Sequence, residues 1–247
     1  MYKSNNITIV LLILCGFVGT TSATRIEVIE TANQIENLIS FSRASTAYVV
    51  DGPLTNQETL KVLRGRADTE PIVIEVADAI EAVTALSNNQ LAYVIRGGGF
   101  PSILKIANIR KNIIYTIDHQ FINILETIAL SKGSLAYAAY FGSTKKLKRV
   151  DWDPLIQQPV ATVIESIHFD GQFSQILALP KGALAYVVKN HNENLETLKI
   201  ALRDSNIMPI FIDTAVTFDQ LMVNSKGIMT YLAFDGSQWV LKKLLFR

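Results

Sequence analysis

Leu179-Pro180-Lys181-Gly182-Ala183-Leu184-Ala185-Tyr186-Val187 is one of five versions of the same phrase in a chain of 247 residues. Its tyrosine recurs in Thr46-Ala47-Tyr48-Val49, Leu91-Ala92-Tyr93-Val94, Leu135-Ala136-Tyr137-Ala138 and Met229-Thr230-Tyr231-Leu232, so the steps from first to last are 45, 44, 49 and 45 residues. Six residues before each tyrosine stands Ser42, Ser87, Ser131, Pro180 or Ser225, opening a turn that continues as Lys132-Gly133, Lys181-Gly182 and Lys226-Gly227 in three copies. Ten to twelve residues after each tyrosine begins a Leu-Lys pair: Leu60-Lys61, Leu104-Lys105, Leu147-Lys148, Leu198-Lys199 and Leu241-Lys242. A period of this length is the mark of a repeat architecture.

Each unit reads as four short strands. In the second copy, residues 83–86 run into a turn at 87–90, then residues 91–96, a Gly97-Gly98-Gly99-Phe100-Pro101 turn, residues 103–107, Asn112 and residues 113–118. Apolar β-branched and aromatic runs between Gly, Pro, Asn and Ser clusters are the pattern of an antiparallel meander. One such sheet cannot bury both faces alone, so neighbouring sheets must stack on it, as in the blades of a propeller. The residue eight before each tyrosine (Ser40, Ala85, Ala129, Ala178, Val223) is small, which suits an innermost strand crowded near a central axis.

The ends of the chain extend this reading. The fifth copy stops after its third strand at Arg247, whereas Arg25-Ile26-Glu27-Val28-Ile29-Glu30 resembles the fourth-strand segment at residues 71–76. The expected fold is therefore all-β: a five-bladed β-propeller of four-stranded antiparallel blades, with the N-terminal strand completing the last blade and closing the ring. Closure removes the exposed sheet edges that an open stack would have to cap.

The turn-and-strand phrases at residues 130–137 and 179–187 resemble the "S-P-D-G-K-x-L-A-Y" turn of TolB-like and WD-like propeller blades. The aspartate usual in that turn is missing from every copy, and Trp152-Asp153 is the one Trp-Asp dipeptide in the chain. The resemblance implies blade geometry and carries no function with it.

Residues 1–23 read as a secretory signal peptide: Lys3, an apolar stretch at residues 7–18, then Thr21-Ser22-Ala23 at a cleavage site. The propeller domain is then residues 24–247, and the expected location is the periplasm or the cell exterior. Loss of residues 1–23 removes Lys3 and Cys15, leaving 22 basic and 22 acidic residues and no cysteine. A neutral chain lacks the charge footprint of a nucleic-acid binder. Without cysteine it has neither disulfide nor thiolate metal site. The Asn6-Ile7-Thr8 sequon leaves with the same segment.

Candidate chemistry starts with carboxylates. Twelve residues before the tyrosine lie Glu36, Glu81 and Asp219, with Leu125 (beside Glu126) and Ser174 in the other copies. Set around a channel mouth, such acids raise one another's pKa and attract a cation such as calcium; set on the crossovers between blades, they are a solvated consequence of duplication. Eighteen or nineteen residues before the tyrosine lie Glu30, Glu75, Asp118 and Asp213, with His168 in the fourth copy. His119, His168 and His191 occupy unrelated repeat positions, so no zinc spacing arises, and no Gly-x-Ser-x-Gly elbow is present. Gly97-Gly98-Gly99 leads to Pro101 and a strand, which suits a hairpin turn rather than a phosphate loop. The basic run Lys145-Lys146-Leu147-Lys148-Arg149 reads as a solvated strand face. Alternation along a strand sends the Leu of each Leu-Lys pair into the core between blades and the Lys to the opposite face, where it can reach the rim or the repeated acids.

Trp152, between Asp151 and Asp153, and Trp239, after the Asp235-Gly236-Ser237-Gln238 turn, are the aromatic anchors for a partner. Extra residues at 189–196 and around 155–159 mark departures from the repeat. These features point to a non-enzymatic binding module for a protein or carbohydrate ligand, using Glu36, Glu81, Asp219, Trp152 or Trp239. The alternatives are a glycoside-hydrolase-like or other hydrolase working through the channel-mouth carboxylates, and a carbohydrate-binding lectin. No cofactor, no metal-ligand set, no nucleic-acid partner and no membrane span after signal removal are expected, and the chain is expected to be a monomer.

Overall fold

A computed structural model describes residue 32 and residues 34–41, 45–51, 57–65, 70–87, 89–97, 101–121, 123–168, 170–190, 192–203 and 208–245. The expected signal peptide, the closing strand at residues 25–30 and His191 lie outside them. No helix among the described residues is long and apolar enough to cross a membrane. The chain divides into two compact units, one ending at Ile80 and the other beginning at Glu81.

The first unit contains an antiparallel sheet in sequence order: β1 (Ile35–Phe41), β2 (Ser45–Asp51), β3 (Glu58–Leu63) and β4 (Ile72–Ala77). A fifth strand, β5 (Ala79–Leu86), begins there and runs into the second unit, where it opens a second sheet with β6 (Gln90–Arg96), β7 (Ser102–Asn108) and β8 (Ile113–Phe121). Two further sheets come next: β9 (Asn123–Ala129), β10 (Leu135–Phe141), β11 (Thr144–Asp153) and β12 (Gln158–His168), then β13 (Gln172–Ala178), β14 (Leu184–Lys189), β15 (Glu196–Ala201) and β16 (Ile210–Ala215). The fifth has three strands among the described residues: β17 (Thr217–Val223), β18 (Ile228–Phe234) and β19 (Trp239–Leu245). We call these sheets blades 1 to 5.

Turn chemistry explains the connection between the first and second strands of a blade. Lys132 and Lys181 both sit in the left-handed region at φ 62°, followed by Gly133 and Gly182 at φ 79°. A glycine after a tolerant residue lets the backbone reverse there without a Cβ clash. Leu130 N and Leu179 N each bond across the turn, to Ser134 O and Ala183 O at 2.8 Å.

The second strand is the buried spine. Tyr93, Tyr137 and Tyr186 are essentially inaccessible, and the apolar residues around them form interblade cores. One core joins Leu104 and Val94 of blade 2 to Leu135 and Tyr137 of blade 3; the next joins Leu147 to Leu184 and Tyr186; a third joins Leu198 to Met229 and Tyr231. In all three the repeated leucine packs toward the next blade in the chain. Burying such a side chain is worth about 1.5–3 kcal/mol.

Two recurrent bulges shape every complete blade. In the fourth strand the pairing skips one isoleucine: Ile74, Ile117, Ile164 and Ile212 fall between residues paired to the Leu and the Lys of the third strand. The acid after it (Glu75, Asp118, Glu165 or Asp213) is left directly opposite the repeated leucine. Residues directly opposite one another share a face, so the acid looks the same way as the leucine. The first strands carry a second bulge, with Asn37, Ala82, Gln175 and Gln220 at φ near 50° in blades 1, 2, 4 and 5. In blade 3 the same interruption falls at Leu125, where the register jumps from Glu126 to Ile124.

Candidate functional site

The most regular polar constellation is a tyrosine and a lysine of one blade converging on the acid of the preceding one. Tyr137 and Lys148, a cross-strand pair in blade 3, both reach Asp118 Oδ2 of blade 2, the hydroxyl donating at 2.9 Å and Nζ at 2.7 Å. Tyr186 and Lys199 of blade 4 do the same with Glu165 of blade 3, each at 2.5 Å. Tyr231 and Lys242 of blade 5 reach Asp213 Oδ2 of blade 4 at 3.0 and 2.7 Å. Burial is the largest cause raising the hydroxyls of Tyr137, Tyr186 and Tyr231 far above the ordinary tyrosine value, with the adjacent carboxylate adding to it. These tyrosines remain neutral donors, and each acid is ion-paired and hydrogen-bonded. Such a triad is a joint between blades rather than a reactive centre.

Counting back from Tyr186 gives His168 as the fourth copy's counterpart of Asp118, and the geometry corrects this to Glu165. β13 begins seven residues after Glu165, against four or five between the equivalent acids and the strands that follow them, and these extra residues displace the count; His168 is largely exposed and bonds to Asp170 through Nδ1. The basic run after Ser143 is corrected too. Lys148 is paired as above, Lys145 Nζ donates to Gly171 O at 2.6 Å, and Lys146 Nζ lies 3.8 Å from the centre of the Phe141 ring. Arg149 is 1% exposed, donating to Leu202 O at 2.6 Å and to Gly182 O. Its Nε makes no hydrogen bond, although Asp151 Oδ2 is 3.8 Å away.

The first-strand acids occupy separate settings. Glu36 is exposed on β1 and accepts from the Gln34 amide. Glu81, on β5, is ion-paired with Arg96 at 3.1 Å. Asp219 is exposed on β17, accepting from Gln220 N at 2.8 Å. Between β5 and β17 in chain order come the first strands β9 and β13, and two of the three adjacent pairs in this row, β5–β9 and β13–β17, are stitched by polar side chains. Thr84 and Thr127 hydroxyls meet at 2.8 Å, while Gln175 donates to Phe218 O at 2.6 Å and accepts from Leu221 N at 3.2 Å. No group of three or more His, Cys, Asp or Glu with metal-holding geometry occurs among the described residues.

Trp239 starts β19, half exposed, with its ring tilted against Phe234 at 5.3 Å between centroids. Trp152 stands near the end of β11, 38% exposed, edge-on to Tyr115 at 5.6 Å. It belongs to a strand, because β11 and β12 run on to a turn at residues 154–157. At that tip Leu155 is 92% exposed.

Beneath the Trp152 ring lies a half-open cleft of about 390 Å³ between blades 2 and 3, lined by Asn89, Gln90, Asn108, Arg110, Lys111, Lys132, Gly133 and Trp152. Three cations line it and, among the described residues, no acid does. Nothing in the order of the residues announces this: Gln90, Arg110, Lys132 and Trp152 meet only because consecutive blades stack.

No protein-family profile matches this chain, and no curated protein sequence does. Similarity appears among solved structures. The chain resembles one of two prolyl endopeptidases studied for inter-domain dynamics in catalysis and specificity, at 14% identity and TM-score 0.54, over 87% of this chain and 35% of the other. It also resembles the tricorn protease, at 13% identity and TM-score 0.55, over 81% and 19%. TolB from Acinetobacter baumannii is similar at 12% identity and TM-score 0.48, over 88% and 53%. The chain therefore spans about a third of the endopeptidase and a fifth of the tricorn protease. At these identities the likeness concerns the fold, which is that of propeller blades.

Proposed function

We propose that this chain is an exported, non-enzymatic β-propeller that binds a saccharide or protein ligand on the rim between blades 2 and 3. Residues 1–23 serve as the signal peptide and residues 24–247 as the propeller domain. The observation that carries this reading is the lengthened β11–β12 hairpin, which brings Trp152 to a cleft lined by three cations and, among the described residues, by no carboxylate. The remaining repeated polar groups are engaged in holding blades together, so the departure from the repeat is the place where selection for a ligand is expressed.

The ring closes, on this proposal, by residues 25–30 pairing beside β19 as the missing strand of blade 5. Ile29-Glu30 repeats the isoleucine–acid dipeptide found at every fourth-strand bulge, and Glu30 would stand to Tyr48 and Lys61 as Asp118 stands to Tyr137 and Lys148. Head-to-tail interfaces of one kind generate a ring when the rotation closes.

The functional test is a binding screen of the mature protein against a glycan array and purified envelope proteins, repeated with Trp152→Ala. A ligand whose binding weakens at least about tenfold in the variant, equivalent to about 1.4 kcal/mol, supports the reading. Binding that is indifferent to Trp152, or a screen with no ligand at all, removes it.

A further inference from the structure

The cleft under Trp152 has a composition that narrows its ligand. Arg110 and Lys111 occupy the turn after β7 and Lys132 the turn after β9, all exposed at the same end of blades 2 and 3. None of the three forms an ion pair or a side-chain hydrogen bond with another described residue, while Lys111 Nζ lies 5.9 Å from the centre of the Trp152 ring. The nearest acids in sequence are turned away. Strand alternation puts Asp151 and Asp153 on the face opposite Trp152. Asp151 is held by the Ser134 hydroxyl at 2.5 Å, and Asp153 accepts from Leu155 N at 2.8 Å. Like charges gathered without a counter-ion favour an anion arriving from solvent.

The rest of the lining is neutral and rich in amides. Gln90 and Asn108 are 7% and 8% exposed, so their positions are set by packing, and Asn108 Oδ1 is further fixed by Lys111 N at 3.0 Å. Asn89 completes the set at φ 57°. A pocket of roughly 300–1,000 Å³ with a flat aromatic wall and a few fixed polar groups is the ordinary form of a small-ligand site. Tryptophan offers a broad apolar surface, amides exchange hydrogen bonds with hydroxyls in both directions, and guanidinium and ammonium groups recognise carboxylate.

We infer that this cleft binds an acidic saccharide, with one pyranose face against Trp152, hydroxyls on Asn89, Gln90 and Asn108, and the uronate carboxylate among Arg110, Lys111 and Lys132. The inference deepens the binding reading above and rests on it. A bare inorganic anion would leave the ring and amides unused, and a neutral sugar would leave the cations uncompensated.

The test is calorimetric titration of the mature protein with an oligomannuronate, with the neutral mannan oligomer of the same linkage, and with sodium sulfate alone. The expected result is binding of the oligomannuronate at least about tenfold tighter than the mannan. Trp152→Ala should abolish it. The double variant Arg110→Gln, Lys111→Gln, which touches only exposed side chains, should weaken it and flatten its salt dependence. Equal binding of the neutral oligomer, lost in Trp152→Ala, overturns the acidic specificity and leaves the binding module standing. Sulfate binding as tightly as the oligomannuronate reduces the cleft to a simple anion site and also overturns the inference. Oligomannuronate binding untouched by either variant, or no binding of any probe by the folded protein, overturns the site itself.

Discussion

Blades 4 and 5 carry the same Leu-Lys pair, and its two halves meet different fates. Lys199 and Lys242 are both paired to an acid of the preceding blade, at 2.5 and 2.7 Å. Leu198 is 0% exposed under blade 5, whereas Leu241 is 72% exposed. In blades 1, 2 and 3 the equivalent Leu60, Leu104 and Leu147 are all at 0%, so blade 5 is the exception. Blades 3 and 4 therefore each have two unlike faces. One presents Tyr and Lys to the blade before it in the chain, and the other presents Leu and an acid to the blade after it. Blade 5 has the first face satisfied, while its other face is an exposed row of Trp239, Leu241, Lys243 and Leu245 beside an unpaired edge among the described residues. Such an edge is a liability that folded proteins cover.

The largest expected effect comes from the joints. Glu165→Ala takes the shared acceptor from Lys199 and the Tyr186 hydroxyl; because the Lys199 side chain is 25% exposed, the loss in denaturant unfolding should be about 2–3 kcal/mol, below that of a fully buried pair broken on one side. Asp213→Ala should cost less, about 1 kcal/mol, because the Lys242 side chain is 38% exposed and water replaces its partner. Equal losses would break the contrast between an inner joint and the one beside the open face.

A smaller effect appears at high pH. Tyr186 and Tyr231 have folded pKa values raised above the unfolded one, so their contribution is fully present below about pH 10 and declines as pH rises past it, since only the unfolded chain ionises there. Tyrosinate absorbance from these residues should therefore appear together with loss of the β-sheet signal. Ionisation of Tyr231 before unfolding, with Tyr186 still silent, would sharpen the contrast by placing blade 5 in a looser joint.

Much of this is legible in the residues. Five tyrosines at near-constant spacing fix five sheets because a meander of four short strands consumes a set length of chain. In blade 2 the strand positions read from the sequence agree with the structure to within a few residues. The acid of blade 3 escapes a count made from the tyrosine because extra residues between Glu165 and β13 shift it. The isoleucine–acid pair at the bulge, Ile164-Glu165, is the marker that survives such an insertion. Arg149 reads in sequence as one more solvated cation; it replaces Val62, Ile106 and Ile200 at the same strand position and is tolerated only because two backbone carbonyls of blade 4 receive it. No local pattern reveals those acceptors. Trp152 stands out as an anchor, whereas its cationic and amide neighbours come from turns far apart in sequence.

Closure of the ring is most directly tested by amide hydrogen exchange along β19 in the mature protein and in a version lacking residues 24–31. Half of the β19 amides point away from β18. If residues 25–30 pair with them, these amides exchange slowly in the intact protein and at nearly unprotected rates after the deletion. Fast exchange in the intact protein, or slow exchange that the deletion leaves unchanged, would contradict a ring closed by its own N-terminal strand.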